Sequence, residues 1–324
     1  MLKNKVLFIS AISVVVCSLI ACTNLNKQDK FPTLEEECKL AGSSSKQCEI
    51  LNLKDLSLDE KENLMGWVYL NGLDNIKPNY DKAYYWFEKA EKSNNHEAIN
   101  SLGMIYFAGL GKYKDFQKAE EYFLEANKYG NKDAKLNLAE LYRIKDFGRS
   151  PDFEKAESWY LLGVQDNPSR AYEGLSKMYL DQENYEKAFI FSEKAAELGN
   201  PEAQYNLGIF FEQGVYVKKD KKQAEYWYKK AIENREPRAA YNLASLYEKG
   251  DGVKQDFNLA YAYYTLANEL GLQAAQSKLF ELDGKVDKEN IRILKNNANI
   301  QIAVDDPNSK WEIMDEEDYL KKKN

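Results

Sequence analysis

The chain has 324 residues, a formal charge of -7 and 44% hydrophobic residues, enough apolar material for one large domain or two ordinary ones. An acidic chain of this kind does not hold a phosphate backbone, which excludes nucleic acid as the natural partner. Aromatics are abundant, with 23 Tyr and 14 Phe, and any reading of the fold has to account for them.

Residues 1–21 read as an export signal: Lys3 and Lys5 form a positive start, and Val6 to Ile20 is an apolar run too short for a confident spanning helix. Loss of those two lysines takes the charge from -7 to -9. The stretch Leu19-Ile20-Ala21-Cys22 resembles the lipobox of bacterial lipoproteins, which implies cleavage before Cys22 and lipid on its thiol and amine. Several acyl chains hold a protein on a membrane where one does not. In a host with two membranes, Thr23 is not the Asp that keeps such lipoproteins in the inner membrane, and the resemblance then implies the periplasmic face of the outer membrane.

With Cys17 removed and Cys22 acylated, Cys38 and Cys48 remain as a pair, and an oxidising compartment favours a bridge between them. The closed loop would contribute roughly 3 kcal/mol in the chain-entropy model. Residues 22–32 read as the lipidated Cys and a tether, whose polar part spans about 17 Å rms. Residues 33–58 read as a helical hairpin cap, with Thr33 and Glu36 at capping-box spacing and Gly42 at a helix stop.

From residue 59 to 285 the sequence repeats. Ala83, Ala119, Ala156, Ala188, Ala224 and Ala260 mark a second helix in each unit, and a small residue follows seven later at Ala90, Ala126, Gly163, Ala195, Ala231 and Ala267. Three residues after each alanine stands an aromatic: Trp86, Tyr122, Trp159, Phe191, Trp227 and Tyr263. First helices carry Leu102-Gly103, Leu138-Ala139, Leu175-Ser176, Leu207-Gly208 and Leu243-Ala244. Spacings of three, four and seven put these residues on one helical face. Small residues let backbones approach, and the aromatics are expected to fill the wedge between neighbouring pairs. A fully buried Trp227 is part of that expectation. No single pair can bury its own stripe, so stacking must supply the core. The fold expected is an all-α solenoid of stacked helix-turn-helix units, six complete and a seventh begun at Ala274. Two connections depart from the pattern: the short Tyr179–Tyr185 turn, and the irregular Asp146–Pro151. Residues 286–300 read as a capping helix and 301–324 as a tail, acidic and then lysine-rich.

Ala203-Gln204-Tyr205-Asn206-Leu207-Gly208, then Gly214, then Ala224-Glu225-Tyr226-Trp227-Tyr228-Lys229-Lys230-Ala231, resembles the Sel-one-like repeat, a relative of the tetratricopeptide repeat. The resemblance implies a right-handed superhelix that binds proteins on a concave wall of first helices. It places partner contacts two before, two after and five after each first-helix Leu. Those positions are Asn100, Met104 and Phe107; Leu136, Glu140 and Arg143; Glu173, Lys177 and Leu180; Tyr205, Ile209 and Glu212; Tyr241, Ser245 and Glu248. It also implies a protein partner, either an antibacterial effector such as a type VI lipase, neutralised by an immunity protein, or a component of an envelope secretion system.

Catalysis has little to stand on. His96 is the only histidine, which leaves no triad and no metal site in view. Ser43-Ser44-Ser45-Lys46 matches the S-x-x-K signature of penicillin-recognising enzymes, but without the companion S-D-N or K-T-G motifs. An enzyme acting on cell-wall precursors or β-lactams is therefore the alternative to a scaffold with no cofactor and no small-molecule substrate.

Overall fold

The computed structural model describes residues 31–42, 44–72, 76–146 and 149–287. The expected signal, Cys22, most of the tether, the capping helix beyond residue 287 and the tail lie outside these residues. Among the described residues there are 15 α-helices, one 3-10 turn at Asp283–Lys285 and no strand. No helix among them is long and apolar enough to cross a membrane. The chain divides into two compact units, residues 1–125 and 126–324.

The first unit begins with a hairpin of α1 (Leu34–Ala41) and α2 (Lys46–Asn52), joined by a Cys38–Cys48 disulfide. Thr33 and Glu36 form a reciprocal capping box, and Gly42 ends α1 with φ 94°. Then come α3 (Leu58–Asn71), α4 (Tyr80–Glu91), α5 (His96–Ala108) and α6 (Phe116–Lys128), which runs across the division. Met65, Trp86, Phe87, Leu102 and Ile105 make the core here. The hairpin is tied on by Glu37, a buried carboxylate that accepts from the Tyr69 hydroxyl at 2.6 Å and the Lys82 ammonium at 2.8 Å. A buried acid persists only with such partners.

The second unit continues with α7 (Ala134–Arg143), α8 (Phe153–Gly163), α9 (Pro168–Asp181), α10 (Tyr185–Glu197), α11 (Pro201–Gln213), α12 (Lys221–Glu233), α13 (Pro237–Lys249), α14 (Phe257–Glu269) and α15 (Ala274–Leu282). Helices pack in sequential pairs, and the first helices α7, α9, α11 and α13 also touch one another, whereas the second helices stay further apart. Within this unit the row of first helices is therefore the inner, concave side.

Helix starts follow from capping. Asn79, Asn95, Asp152, Asn167, Asn184, Asn200, Asp220 and Asp256 each accept from a backbone N–H of the first turn, meeting a donor the helix leaves unpaired. Gly214 and Gly250 close α11 and α13 in the left-handed region, at φ 74° and 69°. The short connection after α9 has Glu183 at φ 56° where other units use glycine. The irregular connection of the third unit is pinned by an isolated bridge between Asp146 and Arg149.

The close approach of paired helices is a ring set over a glycine. A Cβ built on Gly66 would lie 2.4 Å from Phe87, on Gly103 2.6 Å from Phe123, and on Gly208 2.3 Å from Tyr228. These rings stand four residues after the marker alanine, and they correct the expectation for Trp227. Tyr228 is the fully buried ring, while Trp227 is only half-buried. Positions three and four flank the alanine stripe on opposite sides. The fourth drops its ring onto the partner helix. The third stacks on the tyrosine that closes the first helix, as in Tyr106–Tyr122 (5.8 Å, 9°), Tyr179–Phe191 (5.7 Å, 4°) and Tyr247–Tyr263 (5.9 Å, 10°), and Tyr122 and Phe191 keep an edge in solvent. Trp86 and Tyr263 are buried at the third position.

Removing the Tyr228 ring is expected to cost about 3–5 kcal/mol, the usual scale for truncating a large buried aromatic. Trp227→Ala is expected to cost less. Thermal melts followed by circular dichroism on the two variants check the order, and Gly208→Ala is expected to fall on the destabilised side with Tyr228→Ala.

Candidate functional site

On the first helices of the second unit the half-exposed residues recur at helical spacing. They are Glu173, Lys177 and Leu180 on α9; Tyr205, Ile209 and Glu212 on α11; Tyr241, Ser245 and Glu248 on α13. Their spacing aligns them on one stripe per helix. Two expected wall positions fail. Asn100 is buried in α5, and Leu136 is buried in α7, where it fills the space left by Gly163. For Leu136 the reason is the close approach of α8 at Gly163, which sequence spacing alone does not show. Met104 and Phe107 are half-buried in the first unit, and Phe107 packs edge-on against Phe116 and Phe123.

The charged members of the stripe are occupied by each other. Arg143 on α7 pairs with Asp181 on α9; Lys177 on α9 pairs with Glu202 on α11 at 2.8 Å. Arg238 on α13 reaches back to Glu202 at 3.7 Å, and Lys278 on α15 reaches Glu248 at 3.4 Å. Each first helix is thus joined to the next by an ion pair, a ladder along the wall. One such exposed pair stabilises by about 0–1 kcal/mol, so the ladder fixes register more than it adds stability.

Tyrosines of the second helices enter the wall from behind. The hydroxyl of Tyr160 donates to Glu140 at 2.6 Å, Tyr228 to Glu212 at 2.5 Å and Tyr264 to Glu248 at 2.7 Å. Burial pushes the Tyr228 and Tyr264 phenols far above their ordinary range, and the acceptor carboxylates add to it. These groups stay protonated donors, and Glu140, Glu212 and Glu248 are fixed as acceptors rather than left for a partner.

A second recurring contact runs between units. The tyrosine near the end of a first helix bonds to a residue 22 positions earlier on the preceding second helix: Tyr106 to Tyr84 at 3.1 Å, Tyr247 to Glu225 at 2.6 Å, and Tyr179 to Glu157. A lysine sits over its ring, Lys118 on Tyr106 at 5.0 Å, Lys155 on Tyr142 at 4.9 Å and Lys187 on Tyr179 at 4.7 Å. The lysine immediately before Ala119, Ala156 and Ala188 was the sequence signal for this contact, and periodicity of apolar residues passed over it.

What remains for a partner is aromatic. Tyr205 lies beneath the Arg238 guanidinium at 4.6 Å and beside Tyr228 at 6.0 Å; Tyr241 packs on Tyr264 at 5.1 Å. Tyr205, Ile209 and Tyr241 rest on the core cluster below them with an edge outward. Elsewhere, His96 is a surface side chain 3.6 Å from Glu97. Of the serine-rich loop, Ser45 caps α2 through the Cys48 amide and Lys46 pairs with Glu49 at 2.9 Å, while Ser43 lies outside the described residues.

The Sel1 repeat family model matches residues 62–95, 96–130, 132–168, 169–200, 201–235 and 237–272. Among solved structures, a protective antigen of uropathogenic Escherichia coli strains displaying an SLR fold is 28% identical with a TM-score of 0.56, over 72% of this chain and 51% of that one. The chain therefore spans about half the length of that antigen. A Sel1 repeat protein from Oxalobacter formigenes is 26% identical with a TM-score of 0.58, over 73% of this chain and 99% of its own. No curated protein matches the chain.

The wall carries an acid-sensitive element at Glu140. Burial would raise its carboxyl, but donors from Arg143 and Tyr160 outweigh burial and hold it below its ordinary 4.5. The unfolded chain then binds the proton more readily. The stabilisation is complete above pH 4.5 and is lost as pH falls through the lower folded value. Glu140→Gln is expected to lower stability by about 1 kcal/mol at neutral pH. It should also flatten the decline of stability below pH 4.5, measured as urea midpoints from pH 7 to 3.

Proposed function

The chain belongs to the Sel1 repeat family, and on that premise we propose that it is a non-catalytic scaffold that binds a folded protein on the first-helix wall of its second unit. The observation that carries this reading is the Tyr205, Arg238 and Tyr241 group bordered by satisfied ion pairs. Interface centres are enriched in tyrosine and arginine and depleted of unpaired charge. Here the ladder already supplies each wall charge with a partner, so a docking surface does not strand one in a dry contact. A carboxylate-terminated peptide would want free cations on the wall, and Lys177 is engaged by both Glu173 and Glu202.

The export signal and the Leu19-Ile20-Ala21-Cys22 lipobox support placement by a lipid on Cys22, at the periplasmic face of the outer membrane. A scaffold held there meets proteins arriving in or built across the envelope. Its partner is an effector that it neutralises as an immunity protein, or a component of secretion machinery that it helps to localise. Recovering the partner from solubilised envelope identifies which.

Tyr205→Ala with Tyr241→Ala is expected to weaken capture of the partner roughly thirtyfold, the scale for central interface aromatics. Circular dichroism melts should place this variant well above Tyr228→Ala. If the double variant melts as low as Tyr228→Ala, those tyrosines serve the core and the binding surface is elsewhere. Cys22→Ala is expected to abolish palmitate labelling and fractionation with membranes, and continued labelling would overturn the anchor.

A further inference from the structure

The connection from α11 to α12 carries a surface unlike the rest of this acidic chain. A cleft there is lined by Phe211, Lys218, Lys219, Asp220, Lys221, Lys222 and Gly252. Lys221 is held by Glu212 at 3.2 Å and Asp251 at 2.7 Å. Lys218, Lys219 and Lys222 are exposed, and no ion pair holds them among the described residues. The one acid within the run, Asp220, turns its carboxylate into the helix start, accepting from the Lys222 and Gln223 amides at 3.0 and 3.1 Å. Asp251 is held below its ordinary range, mainly by its bond to Lys221 against a small burial effect, with Lys219 and Lys249 adding to it.

We propose that this cleft is a docking site for the chain's own acidic segment, residues 305–319. Three observations select this occupant. Charge is the first: the segment carries Asp305, Asp306, Glu312, Asp315, Glu316, Glu317 and Asp318 against one lysine, Lys310. Apolar content is the second. Trp311, Ile313 and Met314 interrupt the acids, and Phe211 gives the cleft an apolar wall to receive them.

The third is where the described chain leaves off. The Asp287 amide donates to Asn258 Oδ1 at 3.0 Å, and Lys285 lies over the Phe257 ring at 5.5 Å, both in the first turn of α14. That turn follows directly on the Gly250–Asp256 connection, whose Gly252 lines the cleft and is packed so tightly that a Cβ would lie 2.1 Å from Lys221. The chain therefore departs from the edge that holds the cleft. Residues 288–304 lie between, a span of about 23 Å as a coil and up to about 56 Å extended, so the segment reaches without strain. Tethering sets an effective concentration of order 1 mM, enough to fill most sites with a contact of only ~100 µM affinity.

Zero-length carbodiimide coupling of the full chain in detergent tests this, with the links read by peptide mass spectrometry. Amide links from Glu312–Asp318 to Lys218, Lys219 or Lys222 are expected, unchanged on tenfold dilution and suppressed in 0.5 M salt, where charges are screened within ~4 Å. The second measurement is lysine acetylation. Lys218, Lys219 and Lys222 should react at least threefold faster when Glu312, Asp315, Glu316, Glu317 and Asp318 are changed to their amides, with exposed Lys254 unchanged as reference. Tail links made mainly to other lysines overturn the proposal, as do equal acetylation rates. Links that vanish on dilution overturn it too, since they assign the tail to a second copy.

Discussion

The structure depends on how closely two helix backbones can come together. At Gly208 the Tyr228 ring occupies the volume a side chain would need, and the same substitution of ring for side chain recurs at Gly66 with Phe87 and Gly103 with Phe123. A ring seated this way buries most of a large apolar surface while costing few rotatable bonds. It also accounts for much of the chain's aromatic content without a ligand, since the second helices place a ring inside four residues after the marker alanine, Ser192 excepted.

Polar contacts then decide how repeats follow one another. A stack held only by apolar stripes could slide by a turn, because one aliphatic face resembles the next. The bonds from Tyr106 to Tyr84 and Tyr247 to Glu225, and the wall ion pairs such as Lys177–Glu202, fit only one register. Buried hydroxyls such as Tyr228 cannot go unpaired, so Glu212 is as much a structural acceptor as a wall residue. A solenoid has few long-range contacts to enforce order, and these nearest-neighbour terms carry that burden.

This division of labour bears on function. Charges committed to the ladder leave the aromatic group on α11 and α13 as the part of the wall with something to offer, and they leave Lys218, Lys219 and Lys222 at the start of α12 without an ion pair among the described residues. The two surfaces differ in chemistry: one presents tyrosine edges and an arginine face, the other ammonium groups around Phe211. They need not serve the same partner.

The amino-acid sequence by itself determined the class of fold, because recurring alanines and aromatics at fixed helical spacing admit only a stack of helix pairs. It also determined where helices begin, since asparagine and aspartate caps act within one turn, and it set the family. Only tertiary structure decided which of two adjacent rings, Trp227 or Tyr228, goes inside, for both lie on the apolar face and the choice rests on the glycine opposite. It likewise buried Asn100 and Leu136 and left Tyr205 half-open, since exposure on an inner helix is set by the neighbouring repeat. The ladder was hidden for a related reason. Its partners stand 38, 30 and other varying distances apart in sequence, as in Arg143–Asp181 and Glu248–Lys278, so no fixed spacing announces it.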